Sequence, residues 1–329
     1  MIWLSWRQFR VQAVAVYGLL LVLAAVLVLA GRPLPGSRAP LDPGHGLLYH
    51  GGIVVTYALP PLIGVFWGAP LVARELEAGT HRLAWNQTVT RSEWLSVKLA
   101  LIGLAAVLAA GLLSLAVTWW ADAVDNAVTT GDRGGSFAVR LSPVIFGVRG
   151  IAPIGYAVFA FVLGVAVGIL LRRTVLAMAV TLVVFAAVQL AVPFTVRPHL
   201  LPAAEETVTI TASNIARMGL NDAGEFELLT VSGPQGAWML SNETVDGTGK
   251  TVRPPSWLAG CIPPPGGAAR PMPAKECFAK LADDGYRQRI TYQPAARFWP
   301  LQLIETALYL ALTALLALLC LRWSRTRLS

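Results

Sequence analysis

Residues 73–98 read Ala73-Arg-Glu-Leu-Glu-Ala-Gly-Thr-His-Arg-Leu-Ala-Trp-Asn-Gln-Thr-Val-Thr-Arg-Ser-Glu-Trp-Leu-Ser-Val-Lys98, a charged stretch wedged between two long apolar runs, Gly52–Ala73 and Leu99–Ala121. A run of about 20 apolar residues, at 1.5 Å per residue, covers a hydrocarbon core of about 30 Å. The chain therefore crosses a membrane before this stretch and again after it. The stretch itself lies at the membrane surface, where something soluble can grip it. Gly79-Thr80 breaks the first helix, and Thr80 can cap a short helix over His81 to Gln87. Thr90-Arg91-Ser92-Glu93 then has the form of a capping box ahead of Trp94 and Leu95. The short helix carries charge on His81 and Arg82 and bulk on Leu83 and Trp85. It reads as a docking helix for a soluble partner. The competing reading is an interfacial loop with capped helix ends.

The same logic applied outward gives six spans: Ala13–Ala30, Gly52–Ala73, Leu99–Ala121, Ile151–Leu171, Thr174–Phe194 and Trp299–Leu321. The spans must be helices, because the backbone has to satisfy its own hydrogen bonds in lipid. Pro60 and Pro61 fall inside the second and should kink it. Composition agrees: of 329 residues 55% are hydrophobic and 13% charged, against roughly 25% charged in soluble domains. The net charge of +8 marks loops and lipid headgroups rather than nucleic acid, since no basic patch sits on a soluble fold. The first apolar run is too long for a signal-peptide core and reads as a retained span. Before it, Ile2, Trp3, Trp6 and Phe9 share one arc edged by Arg7 and Arg10, which suits an interfacial helix or plain membrane anchors.

Basic residues set the orientation. With the N-terminus inside, Arg7, Arg10, Arg74, Arg82, Arg91, Lys98, Arg172, Arg173, Arg322, Arg325 and Arg327 all lie inside and near span ends. Both termini are then cytoplasmic. Asp122 to Gly150 becomes an external loop. Residues 195–298 become an extracellular region whose alternating runs Thr207–Thr211 and Phe226–Val231 read as strands. The expected architecture is an all-α polytopic membrane protein with a small, irregular, partly β insertion between helices 5 and 6. It divides into 1–194, holding the N-terminal interfacial helix, spans 1–5 and loop 74–98; 195–298; and 299–329, holding span 6 and the tail. Cys261 and Cys277 fall on the oxidising side, where they form a disulfide or remain free thiols.

Motifs for chemistry are weak. Thr244-Val-Asp-Gly-Thr-Gly-Lys-Thr251 lacks the first glycine of a P-loop, and Pro254-Pro255 follow where its helix should begin. A hairpin turn suits it better. His45, His50, His81 and His199 lack acidic partners at metal-ligand spacing, and no Gly-x-Ser-x-Gly elbow occurs. No catalytic residue, metal or cofactor is expected in this chain. Glu305 is the exception in otherwise uncharged spans. It reads as a pathway residue, or as one that snorkels to water or pairs with Arg297. So few intramembrane charges favour energy supplied from outside the bilayer over a proton-driven carrier.

The order Glu-x-x-x-Gly-Thr, then Leu, Thr-Arg, a Trp-Leu pair and Lys is carried by Glu75, Gly79, Thr80, Leu83, Thr90, Arg91, Trp94, Leu95 and Lys98. It resembles the segment after the second span in ABC-2 type transporter permeases. Residues 3–10 and 292–305 look like actinobacterial permeases of this type. The resemblance covers nearly the whole chain in layout, and only the loop after the second span is specific in letters. It implies a type V exporter-like fold. It also implies a homodimer, or pairing with a similar permease, in the lipid bilayer of a bacterial plasma membrane. Each half would dock on a separate ABC ATPase subunit that holds the ATP and Mg. Glu75, Glu77, Thr80, His81, Arg82, Leu83 and Trp85 are then the docking residues. The chain itself would be an exporter's permease subunit and not an enzyme. The alternative of another class is a membrane-anchored sensor or assembly protein with a ligand-binding extracellular region.

Overall fold

The computed structural model describes residues 2–31, 43–79, 90–130, 139–221, 226–261 and 273–326. The chain is mostly helical and divides into two compact units, Met1–Leu200 with Phe298–Ser329, and Leu201–Arg297. The first unit holds α1 (Ile2–Gly31), α2 (Pro43–Ile63), α3 (Ala69–Glu77), α4 (Arg91–Thr130), α5 (Pro143–Phe146), α6 (Ala152–Leu171) and α7 (Thr174–Ala191). The second holds α8 (Ala274–Asp283), and α9 (Phe298–Thr326) returns to the first. Six segments are long and apolar enough to cross a membrane: Phe9–Ala30, Gly46–Glu77, Ser92–Asp122, Ala152–Leu171, Thr174–His199 and Ala295–Ser324.

Helix α6 is the centre of this unit. It packs against α2, α3, α4, α7 and α9, and 78% of its apolar window is buried. Its sequence explains this, because Gly155, Ala157, Ala160, Gly164 and Gly168 let other helices come close. The closest approach is to the second span. That span stays helical through Pro60 and Pro61, then opens into a π-helical turn at Gly64–Gly68, where the Ala69 N–H reaches the Gly64 carbonyl. The prolines remove two backbone donors, and the wide turn that follows is a usual form of such an interruption. Gly64 and Gly68 face Gly164 and Gly168 across the crossing. A Cβ on Gly64 would stand 2.7 Å from the Ala160 carbonyl oxygen, and one on Gly168 would stand 2.6 Å from that of Ala69. Only glycine fits at this contact.

The helical unit differs from the sequence reading in three places. The first is the N-terminal segment, for which a separate interfacial helix is one of two readings. It continues unbroken into the first span, since no proline interrupts Ile2–Gly31, and Phe9 is buried edge-on against Trp67 at 4.7 Å. Second, α4 extends to Thr130, and residues after Val139 are no plain polar loop: Leu141, Ile145, Phe146 and Val148 are buried. Third, helical turns carry the fifth span past Phe194. A π turn at Val192–Val196 absorbs Pro193, a 3-10 turn follows at Arg197–His199, and the second unit begins at Leu201.

The second unit is a small mixed fold. An antiparallel sheet has the order β1 (Ala204–Thr209), β5 (Arg287–Gln293), β4 (Trp238–Val245), and β2 (Ile215–Leu220) pairs with β3 (Phe226–Val231). The register runs from Ala204 opposite Tyr292 to Thr209 opposite Arg287. Ile210, Leu229, Val231, Leu258, Phe278, Leu281 and Ile290 form its core. Cys261 and Cys277 are joined in a disulfide that ties α8 to the preceding 3-10 turn. The near-P-loop is a turn after β4. Asp246 Oδ1 accepts from the N–H groups of Thr248 and Lys250, so backbone donors that would cradle a phosphate are already bonded. The Thr248 hydroxyl and these N–H groups hold the Asp246 carboxyl below its ordinary range.

Candidate functional site

At one end of the helical unit a charged pair is sealed inside the protein. Arg197 Nε donates to Glu305 Oε2 at 2.7 Å and Nη2 donates to Oε1 at 2.9 Å, a two-pronged contact with both side chains fully buried. Tyr156 donates its hydroxyl to Glu305 Oε1 at 2.5 Å. The remaining guanidinium arm reaches the Pro143 carbonyl at 2.9 Å, and the Phe146 ring lies under the cation at 4.2 Å. Arg197, rather than Arg297, is thus the partner of Glu305. Four segments meet here: the 3-10 turn after α7, α9, α6 and α5. A lone buried charge would be prohibitive in this setting, and a saturated pair is tolerable.

Gln302, one turn before Glu305 on α9, closes the same end. Its Oε1 accepts from the N–H groups of Ile151 and Ala152 at 3.0 and 2.8 Å, and its Nε2 donates to the carbonyls of Phe146 and Arg149 at 2.9 and 3.0 Å. These are the unpaired donors at the start of α6 and the loose carbonyls of the loop before it. Ser114 adds a bond to the Gly150 carbonyl at 2.6 Å, and the Gly150 N–H reaches Thr118 at 3.2 Å. Irregular backbone at membrane depth is thereby satisfied by side chains of neighbouring spans.

The opposite end holds Glu75 and Glu77, the two described residues of the set expected to dock a partner. Lys98 is buried, donates to Glu75 Oε1 at 2.6 Å and lies 4.3 Å over the Trp94 ring. Glu77 Oε2 accepts the Thr174 N–H at 3.0 Å, capping α7. Thr90 Oγ1 accepts the Glu93 N–H at 3.2 Å and caps α4. Glu75 and Glu77 therefore bind α3 to α4 and to α7. Thr80, His81, Arg82, Leu83 and Trp85, with the short helix expected over 81–87, lie outside the described residues. Glu305 was singled out by the sequence, but Arg197, Tyr156 and Gln302 were not. The signal for Arg197 was its position: spans five and six meet the insertion at the same membrane face, so a lone Arg ending one and a lone Glu starting the other share a depth.

Six apolar spans, with ionic contacts confined to their ends, define a multi-pass membrane protein of the transporter kind. Residues 38–197 match the family described as ABC-2 membrane transporter related. Together with the six apolar spans, this match supports a membrane transporter permease of the ABC-2 type. The matched residues take in spans two to five, including both glycine pairs, and end at Arg197. No curated protein and no solved structure matches the chain.

Proposed function

We propose that the chain is the permease subunit of an ATP-binding-cassette exporter. It would work as a homodimer or beside a similar permease in a bacterial plasma membrane, with both termini cytoplasmic. A separate ATPase subunit, holding ATP and Mg, docks on the segment between α3 and α4 and drives alternating access. The observation that carries this reading is the ABC-2 match over spans two to five. The anchoring of that segment supports it. Glu75–Lys98 joins α3 to α4, Glu77–Thr174 joins α3 to α7, and the glycine crossing joins the second span to α6. A push on residues 80–89 therefore reaches four spans as one body, and two conformations of that body are what ATP binding in the partner would bias.

The test is co-purification with the ATP-binding subunit when both are co-expressed. Replacing Leu83 and Trp85 by Asp together should abolish it, since apolar anchors dominate such contacts. Unimpaired binding by the double variant refutes the docking assignment. Labelling of a cysteine at Trp85 from outside intact cells refutes the orientation.

A further inference from the structure

We propose that the cleft at the Glu77 end of the helical unit is a binding site for a membrane amphiphile with an anionic headgroup. The cleft has a volume of about 530 Å³ and lies between α1, the second span and α4, within the 300–1,000 Å³ common for small-ligand sites. Its lining is graded along the second span. Arg74 and Glu75 stand within three residues of the span's end at Glu77, whereas Phe66 stands eleven residues deeper. Eleven residues correspond to about 16 Å of helix, half of a hydrocarbon core of about 30 Å. On α4, Lys98 lies near the mouth and Ile102 one turn deeper. Apart from Gln12 on α1, the lining is polar at the mouth and apolar at the floor, and a cleft one leaflet deep matches a headgroup followed by an acyl chain.

Charge selects the headgroup. Glu75 and Lys98 offset each other at 2.6 Å. Arg74 is exposed and makes no ion pair among the described residues, so the mouth carries one positive charge in excess. Basic pockets between spans hold anionic lipid headgroups. The floor is preformed, since Trp67 is buried and fixed edge-on by Phe9 at 4.7 Å, while Phe66 stays 49% exposed. A free phosphate could use the mouth but gains nothing from that floor, and the site therefore belongs to the amphiphile. The lining that forms this site belongs to the chain itself and needs no partner ATPase.

The experiment uses the purified full-length chain in phosphatidylcholine nanodiscs with a trace of phosphatidylglycerol bearing a photoreactive group midway along one acyl chain. Cross-links should map to residues 66–78 and 98–102. The R74Q variant should lower them roughly tenfold, the loss of one charge-assisted hydrogen bond. The L71W variant, which keeps Arg74 and fills the floor, should lower them comparably. Excess inorganic phosphate should leave the labelling unchanged. Equal labelling by a photoreactive phosphatidylcholine, undiminished labelling in either variant, or displacement by phosphate overturns the proposal. Because the chain is assayed alone, such a failure leaves the ATPase-docking experiment unaffected.

Discussion

Removing one member of the Arg197–Glu305 pair should destabilise the protein far more than removing both. The two side chains are fully buried and bonded through both guanidinium edges at 2.7 and 2.9 Å. Glu305→Leu leaves a guanidinium with only the Pro143 carbonyl, the Tyr156 hydroxyl and the Phe146 ring. An Arg cannot shed its proton, so the expected loss is about 3–5 kcal/mol, the usual cost of an orphaned buried ion. Arg197→Leu should cost less, because a carboxyl can neutralise itself by binding a proton and still hold Tyr156. The double Leu variant removes both charges and should recover about 2–3 kcal/mol of the summed losses, a coupling at the upper end of those measured between contacting residues. Reversible unfolding of the four proteins in mixed micelles measures the cycle. Additive losses, with a coupling below about 0.5 kcal/mol, would show that the two charges do not depend on each other and would sink the argument.

Two further outcomes follow from the geometry. Gly168→Ala places a methyl group 2.6 Å from the Ala69 carbonyl oxygen, so the crossing must open and stability should fall by about 1–3 kcal/mol in the same unfolding assay; a variant as stable as the wild type would mean that the two spans are not in such close contact. In the second unit, Arg289 and then Thr251 hold the Glu243 carboxyl below its ordinary range. A lowered folded-state value means that stability is gained above the unfolded-state value, near 4.5, and lost as pH falls through the folded one. The melting-temperature gap between wild type and Glu243→Gln should therefore be constant at neutral pH and close only below that value. A gap that persists in stronger acid contradicts the assignment.

The spans were legible because membrane crossing is a property of length and polarity that each segment states alone. Leu99–Ala121 needs no partner to be read as a helix in lipid. The caps were equally local: Thr90 and Glu93 are three residues apart, and their bond follows from that spacing. What escaped was pairing between distant positions. Arg197 and Glu305 are separated by 108 residues, and Gln302 bonds a loop more than 150 residues earlier. The glycine spacings Gly64–Gly68 and Gly164–Gly168 are visible in the letters, yet which spans they join is set by the fold. The end of the fifth span also escaped. The apolar run reads as ending at Phe194, but a π turn accommodates Pro193 and helical turns continue to Arg197, whose side chain is buried.

The two ends of the helical unit are built for different tasks. At the Glu305 end Arg197, Glu305, Tyr156 and Gln302 are bonded within the protein, while the nearby Thr306 and Tyr309 hydroxyls are buried without a hydrogen-bond partner among the described residues, so that end is closed by interactions that are strong only while water is absent. If a pathway opened there, both ions would be rehydrated together. The cost would then be well below that of orphaning one of them, and the pair can act as a latch that holds in the dry state and parts in the wet one. At the Glu77 end Glu75 and Glu77 link the second span to α4 and α7, and Ala69 and Ala73 pack on Ala177 of α7, beside an open cleft. Those contacts join the spans without closing the cleft. Under the proposed mechanism the motor acts on this end, and the glycine crossing between the second span and α6 would carry the movement toward the Arg197–Glu305 pair.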